Sequence, residues 1–355
     1  MSDPQSQSAS KPALGMAYGL SQTVRVAWYL GQSIMTRRMV GPLHDDDSRP
    51  LQSSAKTPDR RQLLKAVADL FSADWQNVKD GVYAPPHDMV PKPLKGFRNA
   101  RAYLSDVPNV DGRRRAKDHS EVLNEERRRR FPRYYLQNFH YQTGGWLEDG
   151  SADIYDTQVE VLFTGTADAM RRQALVPFAD AMRGLDQRQA NVLDLACGTG
   201  RFLTFVCDNY PRLNLTAVDL SPNYLAKAQR TLRKWRNIHY VNANAERLPV
   251  ADASQDIVTC VYLFHELPPK IRPVVASEIA RVLKPGGRLI VTDALQKGDK
   301  ASLDRLLDFF PWAFHEPYFS SYTTEDFTKM FDKAGLEALS EAPAFLSKVM
   351  AFAKV

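Results

Sequence analysis

The chain has 355 residues, 44% of them hydrophobic and 25% charged, which is typical of globular proteins and long enough for about two domains. Its formal charge of +6 comes from residues 1–150, with 23 Lys and Arg against 17 Asp and Glu, because residues 151–355 hold 24 of each. Such an excess attracts anionic partners, but at this density a solvated surface is the simpler interpretation. Cys197, Cys207 and Cys260 lack metal-ligand spacing and lie in apolar segments, which indicates buried thiols in a reducing compartment.

The N-terminal segment is predicted to contain a disordered tail and then a helix. Residues 1–16 are rich in Ser, Gln and Pro, and they are expected to be disordered. From Ala17 to Met39, apolar residues recur at three- to four-residue spacing, which predicts an amphipathic helix. This helix either packs on its own protein, the favoured interpretation, or lies at a membrane surface, because Trp28 and Tyr29 accompany flanking arginines.

The sequence contains no long uncharged apolar run and no signal-peptide pattern, so a cytoplasmic protein is expected. It is expected to be membrane-associated if residues 17–39 contact a membrane. Residues 17–130 are predicted to be a mainly helical region of unknown role. A linker is expected from Gly41 to Pro58, and helices at about 60–78 and 94–104. The basic runs at 113–115 and 127–130 are separated by glutamates, which favours salt-bridged helix faces over a nucleic-acid patch.

After Ala190, short apolar runs alternate with helical stretches, a pattern that predicts parallel βαβ units. The fold class is therefore α/β: a Rossmann-like, mostly parallel sheet of seven strands with helices on both faces, preceded by a mainly helical N-terminal extension. The predicted strands are Asn191–Leu195, Asn214–Val218, Ile238–Asn242, Asp256–Val261 and Arg288–Asp293, with a terminal antiparallel pair near Leu336–Ser340 and Lys348–Lys354. Residues 190–355 form the catalytic domain in this scheme, and residues 131–189 a substrate-side or lid segment.

The first predicted strand ends in a glycine-rich turn, residues 194–200 (Asp-Leu-Ala-Cys-Gly-Thr-Gly), that leads into a helix. Glycines let the backbone approach a ligand closely, and a helix N-terminus offers free amide donors. The third glycine of a dinucleotide-binding fingerprint is absent, because Leu203 stands there. Asp194 can bind a cationic group of a ligand, and Asp219, at the end of the second strand, can accept hydrogen bonds from both hydroxyls of a ribose.

Residues 242–249, 256–268 and 281–291 complete a series of five motifs, and with them the chain resembles the class I S-adenosylmethionine-dependent methyltransferases. The resemblance covers residues 150–355 and is nearest to the type 11 group of ubiquinone and menaquinone C-methyltransferases. Asn244 departs from the aspartate common at its position, although an amide oxygen can still bind the adenine amino group. The resemblance implies S-adenosyl-L-methionine as cofactor, held by Asp194, Ala196, Gly198, Thr199, Gly200, Asp219, Leu220, Asn244, Ala245, Val261 and Tyr262. Pro285-Gly286-Gly287 is expected to make a turn from helix to strand.

The acceptor of the methyl group is expected at the carboxyl ends of the strands. His265 and Glu266 follow the fourth strand and are the leading candidates to orient or deprotonate it, with Glu266 also able to cap a helix. Aromatic segments at 134–146 and 309–319 either cover the acceptor or pack between domains, and His140 and Tyr155 are further catalytic candidates.

A small, partly apolar acceptor such as a quinol, phenol or lipid-like molecule is therefore the expected substrate, with no metal. A nucleic-acid methyltransferase is the alternative among enzymes, although the Asn-Pro-Pro-aromatic signature is missing after the fourth strand. A non-catalytic cofactor-binding scaffold is the alternative outside enzymes.

Overall fold

The structure of the protein is a computed structural model that describes residues 11–40, 58–90 and 92–355. The predicted linker lies outside these residues except for Pro58, and so do residues 1–10 of the predicted tail. Residues 11–16 are helical, so the prediction of disorder is wrong for them. Helix α1 begins at Lys11, and its first turns are ordered by packing, because Gly15 lies against the ring of Trp75 and Tyr18 stacks on it at 5.2 Å between centroids.

The N-terminal region is helical, as predicted. Its helices are α1 (Lys11–Met39), α2 (Arg60–Lys79), α3 (Pro93–Ala116), α4 (Glu125–Arg130), α5 (Asp149–Leu162), α6 (Ala167–Arg172) and α7 (Leu175–Ala181), with short 3₁₀ turns at Arg133–Tyr135 and Phe139–Tyr141. Helix α3 is longer than predicted and continues through Pro108, next to Val107, which is buried against Val161 of α5. The basic runs are paired in part as predicted: Arg113 lies 3.5 Å from Glu121, and Arg128 lies 2.9 Å from Glu125.

The predicted sheet is confirmed. Its seven strands are β1 (Asn191–Leu195), β2 (Asn214–Asp219), β3 (Ile238–Asn242), β4 (Gln255–Val261), β5 (Leu283–Ala294), β6 (Leu336–Ala344) and β7 (Ser347–Lys354), in the order β3-β2-β1-β4-β5-β7-β6. All neighbours are parallel except the pairs that β7 makes with β5 and β6. The order reverses between β1 and β4, and an open parallel sheet forms its ligand crevice at such a point.

Two hydrophobic cores cover the faces of the sheet, as strands that are buried on both sides require. The helices that contribute to these cores are α7, α8 (Arg201–Asn209), α9 (Pro222–Leu232), α10 (Arg272–Val282), α12 (Phe319–Tyr322) and α13 (Phe327–Lys333). Helix α11 (Asp304–Ala313) packs in a separate small cluster with Phe319, and 3₁₀ turns lie at Phe264–Glu266 and Ala301–Leu303. All three cysteines are buried, as predicted.

The segment Pro285-Gly286-Gly287 belongs to strand β5, so its prediction as a turn between helix and strand is wrong. The pairing of β4 with β5 shifts here, from Gln255 opposite Leu283 to Ile257 opposite Arg288, which leaves extra residues of β5 in an irregularity of the strand. Gly286 adopts a positive φ of 75°, a conformation that glycine takes without steric cost.

A buried cluster of charges, here named the arginine–aspartate cluster (Arg25, Asp88, Glu160, Asp168 and Arg201), joins the N-terminal helices to the sheet domain. Arg25 of α1 lies 2.7 Å from both Asp88 and Glu160 and also pairs with Asp168 of α6. Arg201, the first residue of α8, lies 2.6 Å from Asp88 and donates a 3.0 Å hydrogen bond to Asp168. Helix α1 is therefore tied by charge to the helix that follows the glycine-rich turn.

Candidate active site

The carboxyl ends of β1, β2 and β4 converge on a cleft of about 1090 Å³, a space that includes its opening to solvent. Many of the residues predicted to bind the cofactor line it: Asp194, Ala196, Gly198, Thr199, Asp219, Leu220, Asn244, Ala245, Val261 and Tyr262. Tyr155 and Glu266 line the same cleft. Gly200, His265 and His140 do not line the cleft.

The glycine-rich turn shows why two glycines are needed for different reasons. Gly200 has φ of 74°, and a Cβ there would lie 2.9 Å from Leu232 of α9, so this glycine allows α8 and α9 to pack closely. Gly198 has φ of 55°, and a Cβ there would meet nothing within 4 Å. Ala196 also has a positive φ, 56°, which a side chain rarely adopts and which tends to mark functional sites.

Asp219, the last residue of β2, anchors this turn. One carboxylate oxygen accepts a 2.8 Å hydrogen bond from the backbone N–H of Gly198, and the other accepts one of 2.8 Å from Ser221. Burial raises the pKa of Asp219 to about 6, although the two backbone donors oppose the shift. A carboxylate accepts up to four hydrogen bonds, so Asp219 keeps acceptor capacity for a ligand.

Asp194 is only 2% exposed, and its one hydrogen bond to a side chain comes from Thr259 of β4 at 2.6 Å. Burial raises the pKa of Asp194 to about 7, with the carboxylate of Asp219 adding to the rise. A buried carboxylate with a single neutral donor is a strong attractor for a cation, because no cationic side chain of the described residues compensates it.

On the far side of the cleft, Asn244 forms a local network. Its amide oxygen accepts a 3.0 Å hydrogen bond from the backbone N–H of Glu246, and its amide nitrogen donates to the carboxylate of Glu246 at 2.9 Å. The hydroxyl of Tyr134 donates to the same carboxylate at 2.7 Å. The amide oxygen keeps one free acceptor position.

Asp156, on α5, accepts a 2.7 Å hydrogen bond from the hydroxyl of Thr199 and lines the cleft, although sequence analysis assigned it no role. Its neighbour Tyr155 stands edge-on to Tyr224, with 5.3 Å between ring centroids. Burial raises the pKa of Tyr155 above its ordinary value, and Arg171 opposes that rise. Helix α5 therefore contributes both a polar and an aromatic wall.

Residues after β4 face the cleft from the sheet. Tyr262 adopts φ of 59°, and its hydroxyl lies 2.8 Å from that of Ser347. The guanidinium of Arg171 lies 5.6 Å from the centre of the Tyr262 ring, within the range of a cation–π contact. The contact with Arg171 and the positive φ of Tyr262 define the start of the turn in which His265 and Glu266 lie.

His265 is held between two carboxylates. Its Nδ1 lies 2.5 Å from Asp293 of β5, and its Nε2 lies 3.5 Å from Glu266. Burial disfavours the charged imidazole, but Asp293 and Glu266 outweigh burial and hold the pKa of His265 well above its ordinary value. Burial, with the nearby carboxylate of Glu316, raises the pKa of Glu266 to about 7.

His140 reaches the same place from the N-terminal side. It has φ of 55°, and its Nε2 lies 3.0 Å from a carboxylate oxygen of Glu316. Burial lowers the pKa of His140, but Glu316 more than offsets this, so the pKa is raised. Glu316 and Asp293 were missed by sequence analysis, which named Glu316 only as part of an aromatic run. The sequence shows an acid, Glu316, next to His315. It does not show that Glu316 pairs with His140, because these two residues lie in segments that meet only in the folded chain.

Residues 192–287 match the model of a family described as a methyltransferase domain. The sheet order, the glycine-rich turn and the acids that follow β1 and β2 are those of a class I S-adenosylmethionine-dependent methyltransferase domain, and the C-terminal domain of this chain is one. Its cofactor is S-adenosylmethionine. The residues present fit this molecule, because a Cβ at Gly198 would meet nothing within 4 Å and two buried carboxylates, Asp194 and Asp219, line the cleft.

Curated relatives place the domain among named enzymes. The chain is 32% identical over 166 residues to demethylspheroidene O-methyltransferase of Rhodobacter capsulatus, a match that covers 46% of this chain and 40% of that protein. It is 34% identical over 143 residues to demethylmenaquinone methyltransferase of Deinococcus radiodurans, covering 40% of this chain and 56% of that protein. The chain spans about half the length of the curated relatives it matches. The predicted resemblance to quinone methyltransferases is thus confirmed for the domain.

Among solved structures, the chain is similar to 1,6-didemethyltoxoflavin-N1-methyltransferase of Burkholderia thailandensis, with a TM-score of 0.41 and 20% identity over 57% of this chain and 86% of that one. It is also similar to human N-acetylserotonin methyltransferase, with a TM-score of 0.43 and 14% identity over 58% of this chain and 56% of that one.

Proposed function

We propose that the chain transfers the methyl group of S-adenosylmethionine to a small, partly apolar acceptor of the quinol, phenol or lipid-like class. The observation that carries the proposal is the aromatic lining of the cleft beside the glycine-rich turn. Its walls include Tyr134, Tyr135, Phe139, Trp146, Tyr155, Tyr224 and Tyr262. Flat aromatic walls suit a ring-shaped ligand better than a charged polymer.

Each cofactor contact is assigned from the geometry of the cleft. The carboxylate of Asp219 accepts hydrogen bonds from the ribose hydroxyls, and Asp194 balances the cationic amino group, directly or through water. Asn244 and Ala245 hold the adenine, with Leu220 at the same edge. Ala196, Gly198 and Thr199 line the turn against the amino-acid part of the cofactor, and Gly200 serves by shaping that turn rather than by contact.

The acceptor stands at the other end of the cleft, next to Val261 and Tyr262. The bound cofactor supplies an electrophilic methyl group on a sulfonium. The protein holds the acceptor at attack distance and excludes water, which accounts for much of the rate of such a displacement. Tyr155 and Glu266 line the cleft and orient the acceptor there. His265, 3.5 Å from Glu266, and His140 do not line the cleft and act on the acceptor through Glu266.

The relatives support this acceptor class. Two of them are named as methyltransferases of demethylspheroidene and of demethylmenaquinone. The salt-bridged basic runs of α3 and α4 give no support to the nucleic-acid alternative.

The direct test is calorimetric titration with S-adenosylmethionine and S-adenosylhomocysteine, with NADH as the control ligand, followed by a screen of quinols and phenols with methyl-labelled cofactor. Micromolar binding of both sulfur compounds and label in a quinol or phenol product are expected. Binding of NADH in place of the sulfur compounds would refute the cofactor assignment. Binding without transfer to any acceptor of this class would favour a cofactor-binding scaffold.

We further propose that helix α1 contacts a membrane surface from which the acceptor is drawn. One face of α1 packs inward through Tyr18, Gln22 and Gln32, which are buried. The opposite face is exposed along most of the helix and carries no charge from residue 12 to residue 35: Pro12, Ala13, Met16, Ala17, Gly19, Leu20, Thr23, Val24, Ala27, Leu30, Gly31, Ile34 and Met35.

Exposed apolar area extends beyond α1 and has a basic border. Leu94 and Phe97 at the start of α3 are 87% and 61% exposed, and the ring of Phe97 lies 5.0 Å from that of Trp28. Basic side chains flank these helices at Arg37, Arg38, Lys92, Arg98 and Arg101, all exposed. An apolar face bordered by cations complements an anionic lipid surface. In the part of the chain that the structure describes, no helix has the length and hydropathy to span a bilayer.

Co-sedimentation with phosphatidylcholine vesicles, with and without phosphatidylglycerol, tests the membrane contact. Binding is expected to need the anionic lipid, to fall with salt, and to be lost in a Leu20→Glu, Ile34→Glu variant. A matched control is Leu339→Glu, because Leu339 is an exposed apolar residue of β6, 52% exposed, and its substitution is expected to change nothing. Concentration-dependent self-association that the Leu20→Glu, Ile34→Glu substitutions abolish, without vesicle binding, would assign the face to a second copy instead.

A further inference from the structure

Three side chains from distant parts of the chain meet beside the cleft. His140 belongs to the 3₁₀ turn Phe139–Tyr141, Glu266 ends the turn after β4, and Glu316 lies between α11 and α12. Each offers one ligand atom, and these atoms all lie within 4.8 Å of one another. Glu266 also lines the cofactor cleft, so the cluster borders the place where the acceptor is proposed to stand.

Three of the four carboxylate oxygens of this cluster are buried without a hydrogen bond from the described residues. Glu316 is 3% exposed, and neither of its oxygens accepts a hydrogen bond from the residues that the structure describes. The approach of His140 to Glu316 at 3.0 Å lacks hydrogen-bond geometry. Glu266 is 9% exposed, and its Oε2 also has no donor. Buried charged oxygens without donors are costly, so a ligand that they share is required to account for them.

A proton and a metal cation are the two ligands that suit carboxylates. One proton shared between Glu266 and Glu316 satisfies two oxygens at most and leaves the third without a partner. A divalent cation interacts with both carboxylates and with the imidazole at once, and it neutralises both negative charges. The mixed set of one nitrogen donor and two carboxylates is the chemistry of a transition-metal site.

We propose that His140, Glu266 and Glu316 bind a divalent transition-metal ion such as Zn²⁺ or Mn²⁺. Three protein ligands leave coordination positions open, as in catalytic rather than structural sites. His265 supports the site, because its Nδ1 is fixed by Asp293 while its Nε2 faces Glu266 at 3.5 Å. The sequence gives no metal-ligand spacing, and no metal was expected from it, since the ligands lie far apart along the chain.

The role of the metal, unlike its binding, rests on the proposed function. If an acceptor hydroxyl coordinated the ion, its pKa would be lowered, and it would release its proton to solvent as the acceptor enters the site, before water is excluded. The acceptor oxygen then forms the new bond to the methyl carbon while the bond from that carbon to sulfur breaks, and neutral S-adenosylhomocysteine leaves.

Metal binding is tested on the full chain after treatment with EDTA and dialysis. Calorimetry with Zn²⁺ and Mn²⁺, and visible absorption with Co²⁺, are expected to report one ion per chain. Glu316→Gln and His140→Gln are each expected to weaken binding by tenfold or more. Glu337→Gln is the matched control, because Glu337 is an exposed acid of β6, and it is expected to bind the metal like wild type.

Failure of wild type to bind any of the three ions, or Glu316→Gln binding as tightly as wild type, would overturn the site. The wild-type titration needs no variant, so misfolding of a variant leaves the test intact. A parallel titration with S-adenosylmethionine separates the two proposals. If wild type does not bind the cofactor, the proposed function is refuted. If it binds the cofactor but no metal, only the metal site is refuted.

Discussion

Replacing Asp194 with asparagine is expected to stabilise the protein while removing cofactor binding. In the folded chain burial raises the pKa of this carboxyl from 3.8 to about 7, and an unfolded chain restores the ordinary value. The folded state therefore holds the proton more tightly than the unfolded state does. The stability that this proton contributes is fully present below about pH 4 and is lost as the pH rises to about 7.

The size of the effect follows from the shift. A rise of about three pKa units corresponds to about 4 kcal/mol at 1.36 kcal/mol per unit. Asparagine keeps an oxygen that accepts the hydrogen bond from Thr259, but it carries no charge at any pH. The variant should thus exceed wild type in free energy of unfolding by up to about 4 kcal/mol at pH 8 and by only about 1 kcal/mol at pH 4.5. Urea denaturation at both pH values, without cofactor, measures this difference.

Cofactor binding by the same variant should fall by an order of magnitude or more, because no carboxylate balances the amino group of S-adenosylmethionine. Asp332→Asn is the matched control, since Asp332 is exposed and its substitution should change neither quantity. Equal stabilities of wild type and Asp194→Asn at pH 8 would show that the buried carboxyl carries no such cost. Unchanged affinity for the cofactor would refute the assignment of Asp194.

Three further outcomes are expected. Asp219→Asn should weaken binding of S-adenosylmethionine by about tenfold or more in calorimetry, and it is a cleaner test than alanine because one backbone N–H keeps its acceptor; an unchanged dissociation constant would sink the ribose assignment. Gly200→Ala should lower the free energy of unfolding by about 1–3 kcal/mol, since the new Cβ meets Leu232 at 2.9 Å with a φ of 74°; thermal melting as in wild type would contradict this. Arg172 of α6 lies 2.6 Å from Asp74 of α2, and both are buried. Arg172→Met should cost about 3–5 kcal/mol in urea denaturation, because it leaves Asp74 buried without its cation. A double variant with Asp74→Asn removes the charge and keeps an acceptor for the hydroxyls of Tyr18 and Tyr83, so recovery in it would confirm the cause, and no recovery would contradict it.

The sheet was predictable because its signals are local. The central parallel strands β1 and β4 are short apolar runs that are largely buried on both faces. The observed bounds of β1 and β3 equal the predicted ones. Helix α1 was predicted to begin at Ala17 rather than Lys11, because its first turns depend on contact with Trp75 of another helix. Composition at the start of the chain gave no sign of that contact.

In the candidate site, too, residues with a local sequence signal were predicted and residues placed by tertiary packing were not. Sequence analysis found the residues of the glycine-rich turn and the acids at the ends of β1 and β2, because each belongs to a motif at one strand end. Asp156, Asp293 and Glu316 were missed, because each lies on an element whose position depends on tertiary packing. For Asp293, the partner of His265, the reason is that β5 becomes a neighbour of β4 only in the folded sheet.

The arginine–aspartate cluster has a consequence for how the molecule unfolds. Burial opposes the ionisation of Asp168, yet Arg201 and Arg25 hold the pKa of this carboxyl well below its ordinary value. One of these two cations belongs to helix α1 and the other to α8 of the sheet domain. If α1 detached alone, Asp168 and Glu160 would lose a cation in a site where little water reaches them. We therefore expect helix α1 and the methyltransferase domain to unfold together as one cooperative unit.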